Sequence, residues 1–212
     1  MLQDPIKVAI LSTQRQDLFP QNCQEPVELS WFDQFDPFVE KRADLYIDLD
    51  FNGSPERAAR LKKLQPAIVA VNAVSHTCAE LPEGFIRING WPGFTHPEIM
   101  EMAWGFAELP AVFQRFLDAC GKKCLRVPDT VGMVRPRVLA MIINEAWLAI
   151  EEKVSTPAEI DIAMKLGTNY PLGPMEWTSL IGRKPILDLL NKLSEQDTAY
   201  TPAKLLMQAD AE

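Results

Sequence analysis

The chain is short of glycine at its N-terminal end: the first of its 10 glycines is Gly53. A loop that cradles a phosphate needs glycine, because a Cβ there keeps the backbone N–H groups away from the phosphate oxygens. The residues before Gly53 therefore exclude a glycine-rich phosphate loop.

Cysteine and histidine are also scarce, with 4 and 2 residues in the chain. They are Cys23, Cys78, Cys120 and Cys124, and His76 and His96. No two cysteines form a Cys-X-X-Cys pair, and neither histidine lies at zinc-ligand spacing from them. We therefore expect reduced structural thiols and no metal site.

Long apolar runs are absent, since no stretch approaches the ~18 consecutive apolar residues of a membrane-spanning helix. The first five residues carry an acid and a proline where a signal peptide has basic and then apolar residues. The net charge of −8 and the pI of about 4.9 disfavour nucleic acid and anionic membranes as partners. These features predict a cytoplasmic protein that binds neither nucleic acid nor membrane.

The composition that remains, 47% hydrophobic and 24% charged, is typical of a globular protein. Short strand-like runs alternate with polar or helical stretches in residues 1–127, which predicts an α/β domain with a parallel sheet. The predicted strands are residues 6–11, 27–32, 44–51, 68–71 and 85–88, with a last short one at 124–127. From about residue 96 the pattern otherwise predicts helices, opened by Pro97 and Pro110. Residues 128–212 form a second, helical domain.

The strongest helix prediction covers residues 137–152, which are apolar on nearly every side. Such a helix has to be buried, either within its own domain or against a second subunit. The next helix begins with the capping box Thr156-Pro157-Ala158-Glu159, and Gly167 is its predicted C-terminal stop.

Several linked motifs follow one another in this helical domain. They are Asn144-Glu145-Ala146, the run 159–167, Tyr170-Pro171-Leu172-Gly173-Pro174 and Tyr200-Thr201-Pro202-Ala203. Upstream lie Gly121-Lys122, Asp129-Thr130, Gly132 and Arg137. In order and spacing this series resembles the C-terminal domain of the 3-hydroxyacyl-CoA dehydrogenases, and residues 68–104 resemble that family loosely.

The resemblance implies a reduced Rossmann-like parallel sheet followed by an all-helical dimerisation domain. In that family the Rossmann domain binds NAD, and the helical domain forms the homodimer and closes over the acyl-CoA. A histidine and a glutamate take the proton from the 3-hydroxyl, while a serine and an asparagine orient the substrate.

The NAD-binding residues of the family are missing from this chain. The turn after the first strand reads Ser12-Thr13-Gln14-Arg15-Gln16, without glycine. Asp33 lies where the ribose-binding acid would be, and without the glycines it is interpreted as a solvated loop acid. We therefore expect no cofactor.

The catalytic pair is also replaced. The family places its histidine two residues after a glycine and its glutamate twelve residues later. Aligned without gaps on Gly90, the two positions are Pro92 and Trp104, and neither side chain accepts a proton. The family's asparagine corresponds to Pro136, and its paired serines correspond to Val74 and Ser75. This leaves Asn72, Ser75, Trp91 and Arg137 as candidate substrate-binding residues.

Two other readings stay open. His96 and Glu108 are also twelve residues apart, and in a shifted register they would be the base and its partner in an active, NAD-dependent oxidoreductase. The loop Asn89-Gly90-Trp91-Pro92-Gly93-Phe94 follows a strand, where α/β folds bind ligands, so it forms either a hydrolase or lyase pocket or a tight structural turn. The leading hypothesis is a divergent family member without NAD binding or dehydrogenase activity. It would be retained as a homodimer that binds acyl-CoA or a partner in fatty-acid metabolism.

Overall fold

The computed structural model describes residues 4–13, 18–20, 23, 27–94 and 96–208. The chain divides into two compact units, the first formed by residues 1–90 and 96–130 and the second by residues 91–95 and 131–212. The sequence predicts a domain boundary after residue 127, and the last residue of the first unit is Thr130. The sequence did not indicate that the short segment beginning at Trp91 belongs to the helical unit.

The first unit is built on a seven-stranded sheet in the order β2-β1-β3-β4-β5-β6-β7. The strands are β1 Ile6–Leu11, β2 Val27–Phe32, β3 Leu45–Asp48, β4 Ile68–Asn72, β5 Phe85–Ile88, β6 Ile99–Trp104 and β7 Lys123–Arg126. Strands β1 to β5 are parallel, whereas β6 runs antiparallel to β5 and parallel to β7. The predicted Rossmann-like α/β fold with a helical C-terminal domain is confirmed.

The central strands are apolar runs buried on both faces, as expected for a sheet covered by helices. Helices α1 Phe35–Glu40 and α2 Pro55–Lys62 pack on one face through Phe38 and Leu61. Helix α3 Ala111–Ala119 packs on the other through Phe113, Phe116 and Leu117. Helix α1 was not predicted from the sequence.

The prediction of a helix opening at Pro97 is wrong, and so is the expectation that helices alone follow residue 96. Residues Ile99–Trp104 form strand β6, in which Met102 pairs with Ile88 of β5. Glutamate, methionine and alanine favour helices locally, but cross-strand pairing and burial outweigh that preference. The sheet is parallel as predicted, except where β6 pairs with β5.

The second unit contains α4 Arg135–Glu151, α5 Pro157–Thr168, α6 Pro174–Ile181, α7 Arg183–Ser194 and α8 Lys204–Gln208. The capping box at the start of α5 is confirmed, since Thr156 N donates to Glu159 Oε2 and Glu159 N to Thr156 Oγ1, at 3.1 and 3.4 Å. The stop at Gly167 is wrong: α5 continues to Thr168 and ends at Asn169, whose left-handed φ of 56° closes it.

Within the single chain, α4 is buried on part of its surface only, and burial against a second subunit stays a prediction. Val134 at its N-cap and Val138 in its first turns are 49% and 56% exposed, although Leu139 and Ile143 are buried. Among the residues that the structure describes, no helix is long and apolar enough to cross a membrane.

Candidate functional site

Strand order reverses at β1, because β2 lies on one side of it and β3 on the other. In open α/β sheets the crevice at the carboxyl ends of these strands is the usual ligand site. Here two backbone amides that follow β1 are bonded to residues near the ends of the neighbouring strands: Thr13 N donates to Asp50 Oδ2 at 2.6 Å, and Ser12 N donates to Phe32 O at 2.9 Å. Residues 14–16 of the predicted turn lie outside the described residues.

A second carboxylate, Asp48, lies at the end of β3 and is fully buried. Arg57 holds it with two hydrogen bonds, from Nε and Nη2, each 2.6 Å long. Burial raises the pKa of the Asp48 carboxyl above its ordinary value, and the Arg57 guanidinium offsets this only in part. In this crevice the Asp50 carboxylate accepts the Thr13 N–H, one of the backbone amides that a pyrophosphate would need. With no glycine and an anion in place, the turn does not fit a dinucleotide phosphate. Asp33 is exposed.

The two predicted dyad positions belong to different units. Trp104 pairs with Ile86, six residues before Pro92 in the chain, and Pro92 belongs to the segment that joins the helical unit. The Trp104 side chain is buried, with the Arg126 guanidinium 4.4 Å from its ring centre. It fills the edge of the first unit's core.

The residues that the hairpin brings side by side at a spacing of twelve are Asn89 and Glu101. Ile88 pairs with Met102, and the next amide, Asn89 N, donates to Glu101 O at 2.9 Å. Side chains directly opposite in an antiparallel pair lie on the same face of the sheet. Both are buried, at 6% and 1% exposure. Sequence reasoning missed this pair; the signal was its spacing, together with one acid inside an otherwise apolar run.

Arg87 of β5 is a second buried charge that the sequence analysis did not single out. Its guanidinium pairs with Asp129, and it also donates to three backbone oxygens, those of Ala73, Val74 and Thr130. The Asp129 carboxylate accepts the Cys78 N–H as well, at 2.9 Å. Burial opposes ionisation of Asp129, but these hydrogen bonds outweigh it and its pKa lies below the ordinary value. The arrangement ties the ends of β4 and β5 to the segment after β7.

Two of the predicted substrate-binding residues, Asn72 and Ser75, lie at the end of β4. Asn72 Nδ2 donates to Leu49 O at 3.1 Å, and its Oδ1 accepts Gly90 N at 3.0 Å. The amide therefore joins the carboxyl ends of three neighbouring strands. Ser75 Oγ is 3.4 Å from His76 Nδ1.

The other two, Trp91 and Arg137, belong to the helical unit. Arg137 donates from Nε and Nη2 to Tyr200 Oη, at 3.1 and 2.7 Å, and so links α4 to the chain before α8. Trp91 is 5% exposed. The structure thus places two of the four candidates in each unit, and in the first unit Asn72 bonds the backbone of the neighbouring strands.

The segment of the loop that begins at Trp91 is held by side chains of two helices. Trp177 of α6 donates its indole N–H to Gly93 O at 3.1 Å, and Gly93 has a φ of 87°. The Arg135 guanidinium lies 5.5 Å from the ring centre of Phe94. These contacts fix the loop within the helical unit.

The structure places His96 and Glu108 at opposite ends of β6. Pro97, next to His96, accepts a hydrogen bond from Lys122, which lies just before β7. Ala107, next to Glu108, accepts one from Arg126 at the other end of β7. A strand of six residues is about 20 Å long. His96 Nδ1 instead lies 3.1 Å from Glu98 Oε1.

The two units are a Rossmann-like α/β unit and a helical unit, which together define the fold class of this protein. The model of the 3-hydroxyacyl-CoA dehydrogenase C-terminal domain matches residues 132–211. A 3-hydroxyadipyl-CoA dehydrogenase of Escherichia coli K12 is 42% identical over 95 residues, which are 44% of this chain and 20% of that protein. A 3-hydroxybutyryl-CoA dehydrogenase of Bradyrhizobium diazoefficiens is 33% identical over 153 residues, 67% of this chain and 52% of that protein.

Among solved structures, the (S)-3-hydroxybutyryl-CoA dehydrogenase of Ralstonia eutropha matches with a TM-score of 0.64 and 25% identity, over 84% of this chain and 68% of that one. The chain belongs to the 3-hydroxyacyl-CoA dehydrogenase family. It spans only 20% and 52% of the length of the two curated relatives described above.

Proposed function

We propose that this member of the family neither binds NAD at the end of β1 nor transfers hydride, and that it acts as a homodimeric binding protein for acyl-CoA or a protein partner in fatty-acid metabolism. The observation that carries the first part is the hydrogen bond from Thr13 N to Asp50 Oδ2, 2.6 Å long. A carboxylate at that amide competes with a phosphate and repels it.

The buried pair in the hairpin supports the same conclusion. Asn89 and Glu101 have the family's spacing of twelve, with an amide where the base would be. A carboxamide has no basic nitrogen, so it cannot take a proton from a 3-hydroxyl group. Glu101 would then be an acid whose catalytic partner has been lost. The separation of His96 and Glu108 gives the active-oxidoreductase alternative no support.

Titration of the purified protein with NADH, followed by the fluorescence of its five tryptophans, tests the proposal. We expect no saturable change and no NAD reduction above background with a 3-hydroxyacyl-CoA. The Bradyrhizobium relative, assayed in parallel, provides the positive control. Saturable NADH binding would contradict the proposal, and turnover lost in Glu101→Gln or His96→Ala would identify the acting residue.

Binding of acyl-CoA is a separate part of the proposal and rests on family membership alone. Calorimetric titration with a saturated acyl-CoA measures it without any chemistry, so its outcome is independent of the NADH result. Saturable heat without turnover supports the binding role. Absence of heat would leave a protein partner as the ligand and remove acyl-CoA from the proposal.

The homodimer is supported by helix α5, none of whose twelve residues is buried. Ile162 and Leu166 are 55% and 83% exposed, and Val154 just before the helix is 70% exposed. Clustered exposed apolar side chains of this kind mark interaction surfaces.

Leu166→Glu should therefore convert the dimer to a monomer, because an ionised carboxylate is costly to bury in an apolar interface. Light scattering measures the mass, which is 23.9 kDa for one chain. The matched control is Leu125→Glu, on a strand of the first unit where the leucine is 45% exposed. A monomeric unsubstituted protein, or equal effects of the two changes, would refute dimerisation through α5.

A further inference from the structure

Two thiols of the first unit lie in contact although they are far apart in the chain. Cys23 Sγ, between β1 and β2, is 3.2 Å from Cys120 Sγ, and the two residues are separated by 97 positions. Cys120 is the C-cap of α3 and is 9% exposed, whereas Cys23 is half-buried. A disulfide requires about 2.05 Å between the sulfurs, so a closing movement of about 1.1 Å separates the contact from a bond.

The other two cysteines have different surroundings and serve as internal controls. The Cys78 backbone N–H is bound by the Asp129 carboxylate, and burial, followed by that carboxylate, raises the pKa of the Cys78 thiol to about 11. Burial also raises the pKa of the Cys124 thiol. Among the described residues, neither of these two thiols is in contact with the sulfur of another cysteine.

We propose that Cys23 and Cys120 form an intramolecular disulfide when the protein meets a disulfide oxidant, represented by oxidised glutathione. The pair is a modification site that joins the connection between β1 and β2 to the C-terminal end of α3. It is independent of the proposed binding role, because it requires only the first unit and an oxidant.

The exchange proceeds in two balanced steps. The Cys23 thiolate attacks one sulfur of oxidised glutathione, which breaks the glutathione disulfide and releases one glutathione thiolate. The Cys120 thiolate then attacks the Cys23 sulfur of the mixed disulfide and releases the second. Two protein thiols lose two electrons and two protons, and one glutathione disulfide becomes two thiols.

Cys120 limits the rate of the second step. Burial, together with the neighbouring Cys23 thiol, raises the pKa of Cys120 well above its ordinary value, so little of it is thiolate at neutral pH. Formation of the bond should therefore accelerate as pH rises. Once formed, the bond closes a loop that contains β2 to β6, which restricts the unfolded chain and raises the urea midpoint of the first unit.

The experiment is incubation of the reduced full-length chain with oxidised glutathione, followed by alkylation and digestion without reductant. The expected product is a single Cys23–Cys120 cross-linked peptide, with a chain mass lower by about 2 Da for the two lost hydrogens. Cys78→Ser combined with Cys124→Ser should leave this product unchanged. Cys23→Ser and Cys120→Ala should each abolish it. Cys23 is half-buried, so Cys23→Ser still tests the proposal if Cys120→Ala does not fold.

Several outcomes would overturn the proposal. One is recovery of all four cysteines as alkylated thiols after oxidation. Another is a stable glutathione adduct on Cys23, and a third is a cross-link that involves Cys78 or Cys124 or that joins two chains.

Discussion

Replacement of Arg87 by leucine should lower the free energy of unfolding by about 3 kcal/mol, the low end of the cost of breaking a buried ion pair from one side, because the Asp129 side chain is 35% exposed. Arg87 is fully buried and carries bonds to Asp129 and to three backbone oxygens. Leucine keeps an apolar side chain at this position, but the Asp129 carboxylate and the three backbone oxygens lose the guanidinium that donates to them. Urea unfolding at neutral pH measures the change.

The control for this prediction is Arg60→Leu. Arg60 also makes an ion pair, at 2.7 Å from Asp36, but the two side chains are 46% and 73% exposed. Exposed pairs contribute about 0–1 kcal/mol, so this variant should unfold at nearly the urea concentration of the unsubstituted protein. Equal losses for the two variants would show that burial does not govern the contribution of Arg87.

Replacement of Gly93 by alanine should destabilise the helical unit by about 2–4 kcal/mol, the sum of backbone strain and steric overlap. Gly93 has a φ of 87°, a conformation that residues with a Cβ rarely adopt. A Cβ built there lies 2.7 Å from Trp177 Nε1, the atom that donates to Gly93 O. Thermal unfolding followed by tryptophan fluorescence reports directly on this contact.

Gly167→Ala is the matched control, because the same atom is added in the same unit. Gly167 lies inside α5 and a Cβ there meets nothing within 4 Å. Alanine should stabilise the helix by about 0.5–1 kcal/mol, since it loses less conformational freedom on folding. The two variants should thus shift the melting temperature in opposite directions. A shift of the same sign and size would refute the argument from the Gly93 conformation.

Local patterns predicted much of the fold. The strands at Ile6–Leu11, Val27–Phe32 and Phe85–Ile88 were correct to the residue, because short apolar runs between prolines and polar residues allow few alternatives. The capping box at Thr156 was correct for the same reason, since its hydrogen bonds join residues three apart. The family resemblance was carried by these local motifs.

Features that depend on distant pairing could not be predicted in this way. Strand β6 has the composition of a helix and becomes a strand because β5 lies beside it. The dyad positions were assigned by counting without gaps, whereas the hairpin register brings Asn89 and Glu101 together. Register is a property of two strands, so one strand's sequence does not determine it.

The sequence by itself determined the class of this protein and the absence of a glycine-rich turn, because composition and motif order are properties of the chain alone. Only the tertiary structure decided which residues far apart in the chain became partners. Asp50 reaches the Thr13 amide, Arg87 reaches Asp129, and Cys23 meets Cys120, across separations of 37, 42 and 97 residues. Such contacts follow from how strands and helices pack, and the energy of a charge or a thiol depends on what packing places beside it.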